Sequence, residues 1–360
     1  MTLLAGLFWL IGFFLFCRVP TVGRSRAAGA GGVSVIIPAR NEERNLQRLL
    51  ASLSDQGDAL TEILVVDDHS DDGTAHFAVA AGATLVASEA LPEGWTGKPW
   101  ACWQGARRAQ GERLLFLDAD TWLEPGAVER LAATQAECGG LVSVQPHHLT
   151  ERSYERLGAL FNLITMIGSG AFTAAGPPRV AQTAFGPCVI VSREDYFRVG
   201  GHEHAAGAVL EGFPLGRAFA EAGLGVCCLA GRGAVNFRMY PGGVREMIDG
   251  LAKGFATGAG SISTWLLIAV IAWVAGGVST TRNLAVAAFG GVDPSAWLVL
   301  AALYAAQLRW MLSRVGNYGW WPAVLFPIPI LFFLAVFSLS VFRVFVQKRV
   351  AWKGRAVSTP

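Results

Sequence analysis

The sequence predicts an α/β domain built on a doubly wound sheet, held between apolar segments at both ends of the chain. Three observations carry that reading. Short apolar runs alternate with amphipathic helical patterns between Val33 and Val144, the rhythm of a parallel sheet with helices on both faces. Carboxylates follow two of these runs, at the strand ends where an open α/β sheet binds ligands. Uncharged stretches flank the alternating region, and the 360 residues are 52% hydrophobic with a net charge of only +2. So small a charge leaves no electrostatic footprint for nucleic acid, and none is expected as a partner.

The elements follow in order. Leu3–Cys17 is an uncharged apolar run followed by Arg18, Arg24 and Arg26. It lacks a basic leader and a small-residue cleavage site, so residues 1–20 read as an uncleaved membrane anchor with the next domain in the cytoplasm. Residues 21–32, ending in the Gly/Ala run Ala27–Gly32, read as a linker. Val33–Ile37 is the first strand, and a helix follows with Leu46, Leu49, Leu50 and Leu53 on one face. Ile63–Val66 is the second strand and ends in Asp67-Asp68, with Ser70 or Asp71 placed to cap the next helix. Thr84–Ala87, Arg113–Leu117 and Leu141–Val144 complete the five strands.

Residues 242–262 form an amphipathic pattern, with Val244, Met247, Ile248, Leu251 and Phe255 opposite Arg245 and Lys253, suited to the plane of lipid headgroups. Residues 263–347 hold two or three membrane spans. Ala296–Leu312 and Trp320–Val346 are long enough to cross, whereas Trp265–Val278 is marginal unless it extends towards Phe289. Pro322, Pro327 and Pro329 would kink or break the last segment. Residues 348–360 are a tail. Three full spans would put Lys348, Arg349, Lys353 and Arg355 outside, so one segment is expected to be re-entrant or interfacial. The expected location is the cell membrane, multi-pass, with the α/β domain cytoplasmic. The six cysteines show no metal-ligand spacing and read as reduced core residues.

Leu114-Leu-Phe-Leu-Asp118-Ala-Asp120 carries the chemistry. Two carboxylates separated by one small residue repel each other unless a cation or several donors join them. Hard oxygen ligands suit Mg²⁺ or Mn²⁺ bearing a nucleotide diphosphate. The competing reading makes both acids caps of a helix beginning near Pro125, and the same alternative applies to Asp67 and Asp68. No GxGxxG follows the first strand and no GxxxxGK[ST] occurs, which disfavours a dinucleotide dehydrogenase or a P-loop enzyme.

Four stretches together resemble the family-2 glycosyltransferases of the GT-A fold. They are Ser34-Val-Ile-Ile-Pro-Ala-Arg-Asn-Glu-Glu43, Ile63 to Thr74, Gly97-Lys98 with Ala101, Gln104 and Gly105, and Leu117-Asp-Ala-Asp120. The resemblance implies a nucleotide-diphospho-sugar transferase with a doubly wound mixed sheet over residues 33–241. It implies that Pro38, Ala39, Arg40, Glu42 and Asp68 line the uridine site of a UDP-sugar donor. Lys98 would help hold the nucleotide, Asp118 the ribose or sugar, and Asp120 the catalytic metal. Without the resemblance, Arg40 and Lys98 read equally well as solvated surface charges.

A second set resembles a membrane-bound branch of that family whose members glycosylate carotenoid carboxylic acids. It includes Leu141 to Pro146, Ala184-Phe-Gly-Pro187, Gly200-Gly-His202, Leu210-Glu-Gly-Phe213 and Phe237-Arg-Met-Tyr240. It implies transfer of a hexose, glucose, to a lipidic acceptor. Many relatives carry a Glu-Asp pair where this chain reads Glu211-Gly212, leaving Glu211 as the one acid there. A hydroxyl acceptor needs a base, whereas a carboxylic acid is already ionised at neutral pH. A single Glu211 therefore fits a carboxylate acceptor better than a sugar hydroxyl; it is the expected catalytic residue, its alternative being a helix N-terminal charge. Arg238 can reach a diphosphate or an acceptor carboxylate. His147, His148, His202 and His204 read as surface or supporting residues rather than ligands, with His202 next to the acceptor region. Two other readings stay open: transfer to a hydroxyl-bearing lipid such as a hopanoid, diacylglycerol or polyprenyl phosphate, and a nonenzymatic membrane scaffold.

Overall fold

The short apolar runs Val33–Ala39, Arg113–Leu117 and Leu141–Gln145 become strands in which nearly every residue on both faces is buried. In the computed structural model, which describes residues 2–24, 32–176, 183–208, 210–260, 262–291, 293–343, 349–352 and 355–358, the chain forms two compact units. Helix α1 (Thr2–Leu15) belongs to the apolar unit, and the chain then enters the α/β unit, Pro20–His147 with Gly176–Arg238. There β1 (Val33–Ala39) precedes α2 (Glu43–Leu53), β2 (Leu60–Asp67), α3 (Thr74–Ala80) and β3 (Thr84–Ala87). Next come α4 (Gly97–Arg108), β4 (Arg113–Leu117), β5 (Thr121–Leu123), α5 (Ala127–Cys138) and β6 (Leu141–Gln145).

The two-residue strand β7 (His147–His148) is where the chain leaves this unit, and α6 (Ala159–Gly168) lies in the other. The chain returns for β8 (Cys188–Ser192), α7 (Arg193–Arg198), α8 (Gly212–Glu221), β9 (Val226–Ala230) and β10 (Val235–Phe237). A continuous domain over 33–241 is thus not what forms: His148–Ala175 packs with the apolar helices, and the α/β unit ends at Arg238.

Seven strands make one sheet in the order β3-β2-β1-β4-β8-β6-β9. Its first four strands are parallel, and β8 inserts antiparallel between β4 and β6, so the sheet is mixed. All five expected strands are present. Leu46, Leu49, Leu50 and Leu53 are buried on the expected face of α2, in one core with Val35, Ile37, Leu115 and Leu117. The start of the expected linker is not free, because Thr21 bridges Ala230 on the edge strand β9. Most of the Ala27–Gly32 run lies outside the described residues.

The capping expectation needs correction. Neither Ser70 nor Asp71 caps α3; Asp72 accepts from the Thr74 amide at 3.0 Å. The Ser70 hydroxyl instead accepts from the Asn41 amide at 3.0 Å, and the Asp71 amide donates to the Asn41 side chain at 2.8 Å. These bonds lock together two loops in which Asn41 and His69 both sit at φ 54, a costly conformation for non-glycine residues.

The apolar unit contains α9 (Val244–Gly260), α10 (Thr264–Ala288), α11 (Ser295–Val315), the single turn α12 (Trp321–Val324) and α13 (Pro327–Val341). Helices α10 and α11 are long and apolar enough to cross a membrane. The segment expected to be marginal therefore forms the longest helix, while the one expected to span is broken at its prolines. Helix α13 keeps 15 residues, or about 22 Å, short of the ~30 Å hydrocarbon core.

Polar side chains join α1, α10 and α11. Gln307 accepts from Trp273 Nε1 at 2.9 Å and donates to the Trp9 carbonyl at 2.9 Å. On α9 the expected apolar face is partly used inside the unit: Met247 and Leu251 are buried, whereas Val244 is exposed. The Ala252 carbonyl accepts from Ser340, and Asp249 pairs with Arg343 at 2.9 Å. That helix consequently packs on protein through part of the stripe expected to meet headgroups, at Met247 and Leu251. In the tail, β11 (Arg349–Trp352) and β12 (Arg355–Ser358) form a hairpin.

Candidate active site

The sheet opens a cleft at the carboxyl end of β1 and β4. The ladder between these strands stops at Ile36 opposite Phe116, so Pro38 falls where β4 no longer pairs with β1 and its missing N–H costs nothing on that side. Asp118 follows β4, and its amide donates to the Pro187 carbonyl at 2.9 Å, just before β8. A narrow cleft lies there, lined by Pro38, Lys98, Asp118, Gly186, His202 and Glu211 among others. Four of the expected residues, Pro38, Lys98, Asp118 and Glu211, thus meet in one place.

Lys98 sits in the first turn of α4, where the helix dipole disfavours a cation. Two carboxylates offset this. Its Nζ lies 2.6 Å from Asp118 Oδ1 and also ion-pairs with Glu211. Burial opposes the ammonium charge, but Asp118 and Glu211 outweigh it and hold the Lys98 pKa above the usual lysine range. Burial raises the Glu211 carboxyl, yet Lys98 wins and keeps it below the ordinary carboxylate value. Glu211 occupies the N-cap position of α8, but its side chain makes no capping bond. Its carboxylate goes to Lys98, and the helix-terminus reading does not account for it. Nor is Lys98 a solvated surface charge.

Two glycines make this geometry possible. A Cβ on Gly186 would overlap Glu211 Oε1 and stand 3.3 Å from Lys98 Nζ. A Cβ on Gly212 would collide with the Ala184 carbonyl oxygen and stand 3.0 Å from the Gly186 amide. A second acid beside Glu211 therefore has no room without moving backbone. Gly186→Ala is expected to lower turnover roughly 10-fold or more while shifting Tm by only a few degrees, since it displaces the ion pair rather than the core. Steady-state rates beside a thermal melt check this.

Asp120 stands apart from the residues that line the cleft. Burial, then repulsion from Asp118 and Glu42, pushes its carboxyl up to about 7. Neither acid caps the next helix, because α5 starts at Ala127 behind Gly126. The antiparallel register of β10 on β5 ends with Phe237 opposite Thr121. Arg238 follows β10 directly, one residue beyond the end of that register. Ala39 is buried at the end of β1. Arg40 donates to the Asp68 carbonyl at 3.0 Å and lies 3.6 Å from its carboxylate, with both side chains largely buried. Glu42 accepts from Asn45 at 2.7 Å. Among the described residues no three His, Cys, Asp or Glu side chains converge to hold a metal.

A mixed doubly wound sheet with an acid-lined cleft at its strand ends defines a transferase of the GT-A type. Comparison with known proteins gives the family. The model of Glycosyl transferase family 2 matches residues 34–196. The chain is 36% identical over 331 residues to 4,4'-diaponeurosporenoate glycosyltransferase of Staphylococcus aureus (strain USA300), covering 91% of this chain and 88% of that protein. The enzyme of the same name from Staphylococcus haemolyticus (strain JCSC1435) matches at 36% over 332 residues, with the same coverage. Among solved structures, the mannosyltransferase PcManGT from Pyrobaculum calidifontis, in complex with GDP-Man and Mn²⁺, superposes with a TM-score of 0.55 at 18% identity. That likeness covers 96% of this chain and 95% of that one. The chain belongs to glycosyl transferase family 2 and is a glycosyltransferase.

Proposed function

We propose that this glycosyltransferase moves a hexose, glucose, from a UDP-sugar to the carboxylate of a lipidic carotenoid acid in a single inverting displacement. The observation that carries the reading is the state of Glu211. It is the one acid at the start of α8, Gly212 leaves no room for a second, and Lys98 keeps it ionised and tied up. A carboxylate held below its normal pKa is a poor proton acceptor. An acceptor that arrives ionised does not need one, and the relatives' name, a diaponeurosporenoate glycosyltransferase, points to such an acid.

On the donor side, Pro38, Ala39, Arg40, Glu42 and Asp68 would form the uridine end, with Asp118 at the ribose or sugar. Asp120, beside Asp118, fits Mg²⁺ or Mn²⁺: its carboxyl is crowded by Asp118 and Glu42, and the oxygen donors are hard. Since no three such side chains converge among the described residues, the rest of the shell would come from the diphosphate. The ion would supply positive charge to the departing diphosphate, and Arg238 would add a guanidinium at the same place.

Membrane attachment is supported by α10 and α11, whose outward residues Ile268, Ile271, Leu298 and Val299 are exposed and apolar. With α10 and α11 as two full spans, and α1 and α13 embedded without crossing, the α/β unit and the basic tail fall on one side, the cytoplasmic one that the positive-inside tendency asks for.

Two measurements test the proposal. Membranes containing the enzyme, given radiolabelled UDP-glucose and a carotenoid acid, should yield a base-labile glycosyl ester. A base-stable glycoside would support the hydroxyl-lipid reading instead. Glu211→Gln should lower kcat with the acid acceptor by no more than about 10- to 30-fold, a positioning loss. Near-total loss would make Glu211 the base and defeat the carboxylate reading.

A further inference from the structure

His202 is buried, at 3% exposure, and its ring lines the cleft shared by Lys98, Asp118 and Glu211. Gly200 and Gly201 precede it at φ +77 and +48, a backbone that brings the chain back over Tyr196. A Cβ on Gly201 would overlap the Tyr196 ring, standing 2.6 Å from its Cε1. The absence of a side chain at Gly201 therefore lets the phenol lie beneath the loop. That phenol is fully buried, packed against Phe116 at 5.3 Å and Trp103 at 6.0 Å.

The Tyr196 hydroxyl meets His202 twice. It accepts from the His202 amide at 3.2 Å and lies 2.8 Å from His202 Nδ1. A phenol has one proton to give. The amide can only donate, so the hydroxyl proton goes to Nδ1, which becomes the acceptor. The opposite tautomer would give the phenol oxygen two incoming donors and leave its own buried proton with no acceptor among the described residues. Burial first, then the Lys98 charge, holds the ring neutral, with its pKa lowered to about 4 despite the opposing pull of Glu211. A neutral imidazole that accepts at Nδ1 carries its proton on Nε2. No protein group among the described residues bonds Nε2.

We propose that the Nε2–H of His202 is the acceptor-recognition donor of this enzyme, hydrogen-bonded to the non-attacking oxygen of the acceptor carboxylate, with Tyr196 as the positioning residue that fixes its tautomer. The inference rests on the carboxylate-acceptor reading above. One carboxylate oxygen forms the new bond to the anomeric carbon. The bond from that carbon to the diphosphate oxygen breaks, and its electron pair leaves with the diphosphate. No proton moves. A neutral N–H suits this step because it orients the anion without protonating the nucleophile. Lys98 assists: its ammonium has three donors, two of them engaged by Asp118 and Glu211. An alcohol acceptor offers no second oxygen to His202, so the same contact selects acids over alcohols.

The test uses the full-length enzyme in membranes with UDP-glucose, 4,4'-diaponeurosporenoate and the corresponding alcohol. His202→Leu should raise KM for the acid roughly 10- to 100-fold and leave KM for UDP-glucose within about two-fold. His202→Gln, whose amide N–H reaches the Nε2 position, should recover most of that loss. Tyr196→Phe should fall between them. Nitrogen-15 histidine NMR of the wild type should show Nε2 protonated and Nδ1 bare, a readout that needs no variant to fold. The opposite tautomer overturns the inference. So does an unchanged acid KM in His202→Leu, or an equal rise in KM for UDP-glucose. Wild-type enzyme that glycosylates the alcohol and makes no ester overturns the carboxylate reading itself, and this inference with it.

Discussion

Asp120→Asn is expected to cost about 10²- to 10⁴-fold in kcat while raising the melting temperature of the metal-free enzyme at pH 8. The opposite signs come from one cause. In the metal-free protein the Asp120 carboxyl is buried and repelled by Asp118 and Glu42, which raises it to about 7. A carboxyl raised on folding contributes stability that is full below its unfolded value of about 4 and lost as pH climbs to about 7. Above pH 7 the folded protein carries a crowded charge that the unfolded chain exposes to water. The penalty is on the order of 2–4 kcal/mol, reduced by the partial exposure of the group. Asparagine removes the charge and with it the penalty.

The measurement is a set of thermal melts in chelator at pH 5 and pH 8, repeated with Mn²⁺ and UDP. Wild type should melt lower at pH 8 than at pH 5, and the gap should shrink in the variant. Mn²⁺ with UDP should raise the wild-type melt and leave the variant where it was. A variant that keeps both metal-dependent stabilisation and turnover would remove Asp120 from the site.

How much of this was readable in the chain differs from element to element. The strands that carry the donor-site residues are short apolar runs with turn signals at both ends, and β1 to β4 and β6 lie where such runs predict. The acids at their ends were visible for the same reason. Strands β8 and β9 were not, although Cys-Val-Ile-Val-Ser and Val-Cys-Cys-Leu-Ala are apolar. The antiparallel insertion of β8 between β4 and β6 depends on partners remote in sequence, which no local period encodes.

The cap of α3 was missed by one or two positions because Ser70 and Asp71 are spent joining the loop at Asn41. The membrane segments were recognised by composition, yet their lengths depended on where prolines break the helix, and only Pro322 and Pro327 sit at such starts. The missing second acid was legible at Glu211-Gly212, but its physical reason was not. That reason is the Ala184 carbonyl pressed against Gly212. The meeting of Lys98 with both Asp118 and Glu211 was equally hidden, since the start of α4, the end of β4 and the start of α8 supply them from far apart in the chain. Cys102 and Gly186 line the same cleft and carry no sequence signal beyond the motifs that contain them.

Removing Lys98 is expected to have the largest combined effect on stability and rate. Lys98→Met keeps most of the side-chain volume and deletes the cation, leaving Glu211, only 8% exposed, and Asp118 without the charge between them. Breaking one side of a buried pair costs about 3–5 kcal/mol; because Asp118 is 26% exposed, roughly 2–4 kcal/mol is expected here. Turnover should fall at least about 100-fold, because the two carboxylates that frame the cleft would repel each other and any ionised acceptor.

The pH dependence should reverse for Glu211. In wild type its depressed pKa gives stability that is present above the unfolded value, about 4.3, and is lost as pH falls through the lower folded value. In Lys98→Met burial dominates, the carboxyl titrates high, and stability is regained as pH falls. The double variant Lys98→Met with Glu211→Gln is the discriminating measurement. It removes both charges, so denaturant unfolding should show most of the lost stability restored while activity stays low. A double variant no more stable than Lys98→Met alone would mean that the lysine acts through its packing. In that case Glu211 would be free of the lysine and available to serve as a base.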